Sequence, residues 1–119
     1  MNAKPAPTGH GAERRREPRR IFHGKVMLRL GDGQTVETRG IDISASGIGV
    51  ECPVNLAPSA SCELRLSLML KDGSIHPVTL RGSVAYAMLS GKYAAFQVGV
   101  QFAGSAREAT DLLARYLAA

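Results

Sequence analysis

The sequence predicts a mainly β fold, a six-stranded antiparallel β-barrel with a C-terminal α-helix. Three observations predict it. Apolar and polar residues alternate through the middle of the chain, glycine-containing turns separate the alternating runs, and the last segment changes to a helical period. At 119 residues, with 45% apolar and 21% charged residues, the chain has the composition of one globular domain.

Six runs have the character of strands, and they are 26–30, 34–44, 48–52, 62–70, 76–89 and 93–103. Gly31-Asp32-Gly33 is a tight-turn signal between the first two. The fourth run alternates most clearly, because its leucines all occupy one face and its polar residues mostly the other. Since the runs are joined largely by short turns, we expect an antiparallel meander that closes into a small barrel.

The last segment, 105–118, is predicted to be helical. Ser105 and Glu108 have the spacing of a capping box. Behind them apolar residues recur at helical spacing, at Ala109, Leu112, Leu113, Tyr116 and Leu117. Because a helix of about 14 residues is marginal alone in water, this stripe is expected to pack on the barrel.

Positive charge is concentrated at the start of the chain. Residues 1–39 contain nine Lys and Arg against four Asp and Glu, whereas residues 40–119 contain six of each. Residues 1–13 lack periodicity and are predicted to be a flexible lead-in. A basic N-terminal segment before a neutral domain favours an anionic partner that binds at one site. The simpler alternative is that the segment only increases solubility.

Several functional classes are not supported by the sequence. No apolar run is close to the length of a membrane span, which is about 20 residues, and the chain does not begin with a secretory signal. We therefore expect a cytoplasmic protein without membrane insertion. Cys52 and Cys62 do not suggest a disulfide framework, and the three histidines are too far apart for a zinc pattern. Without a Cys/His pair, a carboxylate dyad or a phosphate loop, we expect neither an enzyme nor a metal or cofactor.

The first candidate site is the run RRREPRR, which contains Arg14, Arg15, Arg16, Arg19 and Arg20. Its cations are all arginine. A guanidinium stacks on nucleobases and makes forked hydrogen bonds to phosphate or to guanine O6 and N7, which an ammonium cannot do. The run therefore favours a ligand that has both phosphates and bases. We expect the segment through residue 22 to be mobile until the ligand orders it.

The second candidate site is IDISASGIGV, where Asp42, Ser44 and Gly47 form the pattern D-x-S-x-x-G. In an extended run Asp42 and Ser44 point to the same face. A carboxylate accepts well from the N1–H and N2–H₂ edge of guanine, and Gly47 allows a turn or a close approach to the backbone. The alternative is that Asp42 and Ser44 only form an Asx or ST turn that leads into a strand.

Together these motifs resemble the PilZ domain family, bacterial receptors for the second messenger cyclic di-GMP that have no catalysis of their own. ERRREPRR is similar to the family's opening motif, IDISASGIGV to its second motif and QVGVQF to its usual last strand. The resemblance covers residue 13 to about residue 117 and implies a barrel of the split type. It implies a cyclic di-GMP site at Arg15, Arg19, Asp42, Ser44 and Gly47.

The resemblance leaves some features of the site open. The family usually has an apolar residue directly after its second motif arginine, but here Arg20 follows Arg19, so Arg16 and Arg20 form an alternative register. Arg14 is expected at the mouth of the site, where a further flat cation favours two ligand molecules per chain.

The domain so implied is 14–119, made of a ligand-binding segment (14–24), a barrel (25–103) and a helix (105–118). Its expected output is a ligand-switched contact with an effector protein in motility, biofilm or exopolysaccharide control. No DNA partner is expected. The alternatives are a single-stranded nucleic-acid-binding module and a PilZ-like adaptor that does not bind ligand.

Overall fold

The computed structural model describes residues 19–91 and 95–118. The elements in this part of the chain are β1 (Arg19–Ile21), β2 (Lys25–Leu30), β3 (Thr35–Ser44), β4 (Gly47–Cys52), β5 (Ser61–Met69), β6 (Ile75–Ser90), β7 (Ala95–Phe102) and α1 (Arg107–Leu117).

Strands β2 to β7 close into a barrel. Their order around it is β2, β5, β6, β7, β4 and β3, and β3 returns to β2, with every neighbouring pair antiparallel. The predicted six-stranded barrel with a C-terminal helix is therefore confirmed. Strand β1 lies outside the ring. It pairs with the end of β3, where Arg19 is opposite Ser44 and Ile21 is opposite Asp42.

The alternation of side chains decides which face of each strand is inside. In β5 the leucines at 64, 66 and 68 are buried, while Arg65 and Ser67 between them are exposed. The same period places an aliphatic core within the barrel, and its fully buried members are Leu28, Ile43, Leu64, Leu68, Leu80, Val26, Val50, Val98 and Cys52.

Two tight turns fix the registers of the β2–β3 and β5–β6 hairpins. Gly33 and Gly73 have φ angles of 88° and 87°, a left-handed conformation that favours glycine. In each turn an aspartate accepts a hydrogen bond from the main-chain N–H two residues further on, Asp32 from residue 34 and Asp72 from residue 74, both at 2.9 Å.

Helix α1 packs its apolar stripe on the barrel, as its spacing predicts. Ala109, Leu113, Tyr116 and Leu117 are buried, and Leu112 is partly buried against the core. The long apolar side chains of this stripe would be exposed to water in an isolated helix, so the barrel supplies most of the stability of α1.

The predicted capping box is wrong. The residue before the helix is Ala106, and no side chain caps the first turn. Ser105 Oγ instead accepts a hydrogen bond from the main-chain N–H of Arg81 at 2.8 Å and lies 3.3 Å from the carbonyl of Arg81. The hydroxyl thus ties the β7–α1 connection to β6, because that edge of β6 offers it a donor and an acceptor together.

The last residues of the arginine segment pair with the barrel, in a strand that the sequence analysis did not predict. Arg19–Ile21 is a strand, and Phe22 beyond it is buried, with its N–H donating to Ile41 O at 3.0 Å. The Phe22 ring lies over Gly40, so the ring and the strand pairing hold this part of the segment on the barrel. The rest of the segment lies outside the described residues.

Candidate ligand-binding site

The middle of the outer face of β4 and β7 is made of glycine, and along β7 Gln97 and Gln101 face outward on either side of it. Gly47 and Gly49 on β4 and Gly99 on β7 all face outward, because their neighbours Ile48, Val50 and the valines of β7 point into the core. Gly49 is directly opposite Gly99. These glycines leave room for side chains of the neighbouring strands to lie on the sheet, Asp42 against Gly49 and Tyr86 over Gly99.

Functional side chains lie at both ends of this glycine stretch, in one row across four strands. Asp42 on β3 is opposite Gly49, Gly49 is opposite Gly99, and Gly99 is opposite Tyr86 on β6. The row spans about 14 Å from Asp42 to Tyr86, since neighbouring strands are about 4.8 Å apart. It forms the floor of an open cavity of about 340 Å³.

Arg19 stands beside Asp42 at one end of the cavity. Its Nη2 donates to Asp42 Oδ2 at 2.9 Å, and both side chains remain partly exposed, at 43% and 32%. An exposed pair of this kind contributes at most about 1 kcal/mol to folding, so its main effect is to hold the guanidinium at the cavity. The Asp42 carboxylate also leans toward Gly49, where a Cβ would lie 2.9 Å from Oδ1.

Tyr86 forms the other wall. Its ring lies so close over Gly99 that any side chain at residue 99 would displace it. The ring is 38% exposed and faces the cavity. An aromatic ring that lies on the sheet with its other side exposed is an arrangement on which a flat heterocycle can stack.

Ser44 and Gly47 line the cavity and also build the turn between β3 and β4. Ser44 is 6% exposed, and its Oγ accepts from Ser46 N at 3.3 Å and lies 3.4 Å from Gly47 O. A Cβ on Gly47 would overlap the carbonyl oxygen of Val100. The ST-turn interpretation thus applies to Ser44, and Gly47 is required by the close approach of β7.

Arg20 points away from this cavity. Its Nη1 donates to the main-chain oxygen of Tyr116 at 2.7 Å, and its guanidinium lies over the Tyr116 ring, 4.5 Å from the centroid. Consecutive residues of a strand face opposite sides, so Arg19 reaches the cavity and Arg20 reaches the end of α1. Arg14, Arg15 and Arg16 lie outside the described residues.

The structure therefore brings together four of the residues that the motifs singled out: Arg19, Asp42, Ser44 and Gly47. Sequence reasoning missed Tyr86, Gly49 and Gly99. Gly49 had a signal, since it alternates with Gly47 along β4, whereas Gly99 is the single glycine of β7 and had none. Tyr86 had none, because only the β6–β7 register places it opposite Gly99.

One other cluster contains the residue types of a hydrolase. Ser74 Oγ donates to Asp72 Oδ1 at 2.5 Å and lies 2.8 Å from His76 Nε2. Since the serine proton is directed at Asp72, His76 donates to Ser74 and cannot act as its general base. The hydrogen bonds from Ser74 lower the pKa of Asp72, which fits a turn. Within 19–91 and 95–118 no cluster of three or more potential ligands could hold a metal ion, and no helix is long and apolar enough to cross a membrane.

Comparisons with known proteins agree with this architecture. The family model described as PilZ domain matches residues 13–119. The fold is similar to that of the Bacillus subtilis inhibitor of motility (MotI/DgrA), with a TM-score of 0.73 and 16% identity over 86% of this chain. The chain spans 48% of that protein's length.

It is also similar to the PilZ domain of YcgR from Escherichia coli, solved with c-di-GMP. There the TM-score is 0.57 and the identity 18%, over 87% of this chain and 88% of that one. No curated protein matches the sequence closely enough to count as a relative.

Proposed function

The chain belongs to the PilZ domain family, whose members are receptors for cyclic di-GMP, and from that membership we propose that its glycine-floored cavity binds this dinucleotide. The observation that carries the proposal is the row Asp42, Gly49, Gly99 and Tyr86 with Arg19 beside it. Cyclic di-GMP is the ligand of the family and not a cofactor.

In this proposal a guanine enters the cavity and stacks on the exposed side of the Tyr86 ring. Asp42 accepts hydrogen bonds from the guanine N1–H and N2–H₂ edge, which adenine lacks. Arg19 leaves or shares its bond to Asp42 and forks to a phosphate or to guanine O6 and N7. The Arg19–Asp42 pair keeps both groups at the cavity.

The register of the arginine run is part of the proposal. Arg19 lies at the cavity, while the Arg20 guanidinium is engaged by Tyr116 on the other side of the strand. This favours Arg15 with Arg19 as the motif pair over Arg16 with Arg20. Arg15 would add a second forked cation from the segment that precedes β1.

PilZ domains are ligand-binding and adaptor domains, and we propose a receptor without catalysis for this chain too. The ligand would order the residues before β1 against the barrel and so create a surface that an effector protein reads. The name of the inhibitor-of-motility neighbour makes motility the first process to test, ahead of biofilm and exopolysaccharide control. A bacterial cytoplasm is the proposed location.

Calorimetric titration with cyclic di-GMP tests the site and the register together. Arg19→Ala should weaken binding by about 2–5 kcal/mol, the usual loss when one partner of a desolvated charged contact is removed. Arg20→Ala removes the same charge from the next residue and serves as the matched control, with wild-type affinity expected. If Arg20→Ala weakened cyclic di-GMP binding and Arg19→Ala did not, the motif pair would be Arg16 with Arg20.

Base recognition by Asp42 is tested with cyclic di-AMP as the competing ligand. Asp42→Asn should lower the affinity for cyclic di-GMP and narrow the preference for it over cyclic di-AMP. Asp111→Asn, an exposed carboxylate on α1, is the control. A short single-stranded RNA belongs in the same series. If it bound more tightly than cyclic di-GMP and lost affinity in Arg19→Ala, the nucleic-acid alternative would replace this proposal.

A further inference from the structure

A second surface of the barrel lies away from the ligand cavity. It is the outer face of β2 and β5 together with residues 35–39 of β3 and 75–83 of β6. It collects positive charge. Its cations are Lys25, Arg29, Arg39, Arg65 and Arg81, and its acids are Glu37 and Glu63. The other described residues contain five cations against six acids, so the positive excess of the described part lies on this surface, which we call the basic face.

The cations of the basic face are incompletely neutralised. Glu63 lies between Arg29 and Arg81 in one cross-strand row. Its oxygens are 3.8 Å from Arg81 Nη2 and 3.9 Å from Arg65 Nε, too long for good hydrogen bonds. The two arginine side chains are 66% and 70% exposed, so most of their donors face solvent. An incoming carboxylate can therefore find unused N–H groups here.

Apolar side chains continue the basic face at one end. Met69 and Ile75 are directly opposite each other at the tip of the β5–β6 hairpin, and they are 59% and 61% exposed. Pro77 follows in the next row, and Met27 lies beyond it across β5. A groove of about 480 Å³ runs between this apolar end and the cations, lined by Lys25, Met27, Arg65, Pro77 and Thr79 among others.

We propose that the basic face docks the effector protein, through an acidic segment in which Asp or Glu residues flank an apolar side chain. The apolar side chain would enter the groove beside Met27 and Pro77, and the carboxylates would meet Arg29, Arg65 and Arg81. Methionine and arginine are enriched at protein interfaces, and methionine adapts to the shape of a partner. Charge complementarity would steer the encounter and make it sensitive to salt.

Other occupants match the basic face less well. A second copy of this chain would bring like charges together. Proteins that bind single-stranded nucleic acids offer aromatic rings on which the bases stack. No aromatic ring projects from the described part of the basic face. In a complex with a nucleic acid, the exposed apolar side chains of Met69 and Ile75 would also face phosphate groups. The inference rests on the proposed function only in taking the chain to be an adaptor, since the face shares no residue with the ligand cavity.

A random-peptide phage display library, selected on the full chain without cyclic di-GMP, provides the test. The enriched peptides should place Asp or Glu around an apolar residue, and a synthetic copy should bind less tightly as salt increases. Its affinity should fall at least about tenfold for Arg29→Glu combined with Arg65→Glu. It should also fall for Ile75→Ser, which leaves the charges unchanged.

The matched control is Arg107→Glu combined with Arg115→Glu, the same charge change on α1, and it should leave peptide binding near the wild-type level. Enrichment of no peptide, of peptides without acids, or equal losses in the two double variants would overturn the proposal. So would a short oligonucleotide or an anionic vesicle that displaces the peptide and binds more tightly. The affinity of the same variants for cyclic di-GMP should equal that of the wild type. A failure of ligand binding is therefore distinguished from a failure of docking.

Discussion

Arg19 and Arg20 are adjacent in the sequence and have different surroundings in the molecule. Arg19 pairs with Asp42 at the cavity, whereas Arg20 reaches Tyr116 on α1. The division follows from strand geometry, which sends consecutive side chains to opposite faces. A run of arginines therefore need not act as one cluster once part of it pairs with a sheet.

Tyr86 gives a prediction for a residue that has no motif. Tyr86→Ala should weaken cyclic di-GMP binding by about 1–3 kcal/mol, the usual contribution of one base stacked on an aromatic ring. Tyr86→Phe should bind nearly as well, because it keeps the ring. Met88→Ala, an exposed neighbour on the same strand, is the calorimetric control. Equal affinity in Tyr86→Ala and the wild type would remove the ring from the site.

Cys62 gives a prediction about pH. Burial raises the pKa of its thiol from 9.0 to about 11, so the folded protein holds this proton more tightly than the unfolded chain. The associated stability is fully present below pH 9 and is lost as the pH rises toward 11. Over that range the wild type should lose about 2–3 kcal/mol more than Cys62→Val. Denaturant unfolding at pH 8 and pH 11 measures the difference, and parallel losses in the two proteins would contradict it.

The motif identified the residues at one end of the cavity, because Asp42, Ser44 and Gly47 are close together in sequence. It could not identify what each does. Ser44 builds the turn, and Gly47 makes room for the carbonyl of Val100. Tyr86 was not predicted, since it meets the site only through pairing with a strand some dozen residues further along.

At the scale of elements, the strands were predicted well because each has one buried face. β5 shows this most clearly, with inward leucines and outward polar residues. β1 was not predicted. Three residues are too few to show a period, and arginines conceal the pairing with β3. The helix was predicted from its stripe, but its start was not, since Ser105 bonds to Arg81 instead of capping.

Helix α1 should depend on its contact with the barrel. Leu113 is 3% exposed, and Leu113→Ala should lower the free energy of unfolding by about 2–5 kcal/mol because it leaves a cavity. Leu112→Ala is the matched control, since it removes the same atoms from a partly buried position and should cost clearly less. Urea unfolding monitored by circular dichroism compares them. Equal effects would mean that the helix does not pack as described.

At the scale of the whole molecule, the barrel separates two surfaces. The glycine-floored cavity lies on β4 and β7, and the basic face lies around β2 and β5 on the other side. The sequence showed a neutral body, because the charges of 40–119 balance, and only closure of the sheet reveals that cations share one face. The division of the chain into a ligand segment, a barrel and a helix stays a prediction.

The number of ligands bound by the whole molecule can be read from stability. We predict two cyclic di-GMP molecules per chain, because Arg14 offers a flat cation beyond the motif pair and this dinucleotide can self-associate into an intercalated dimer. At saturation the free energy of unfolding rises with each e-fold increase in ligand by about 0.6 kcal/mol for one bound molecule and about 1.2 kcal/mol for two. Urea unfolding across a series of ligand concentrations, all well above Kd, gives this slope. Arg14→Leu should reduce the slope from the value for two bound molecules to the value for one. Arg107→Leu removes an exposed charge from α1 and should not change the slope. A wild-type slope of one ligand that is unchanged in Arg14→Leu would leave Arg14 as a solvated charge and the cavity as the site of a single dinucleotide.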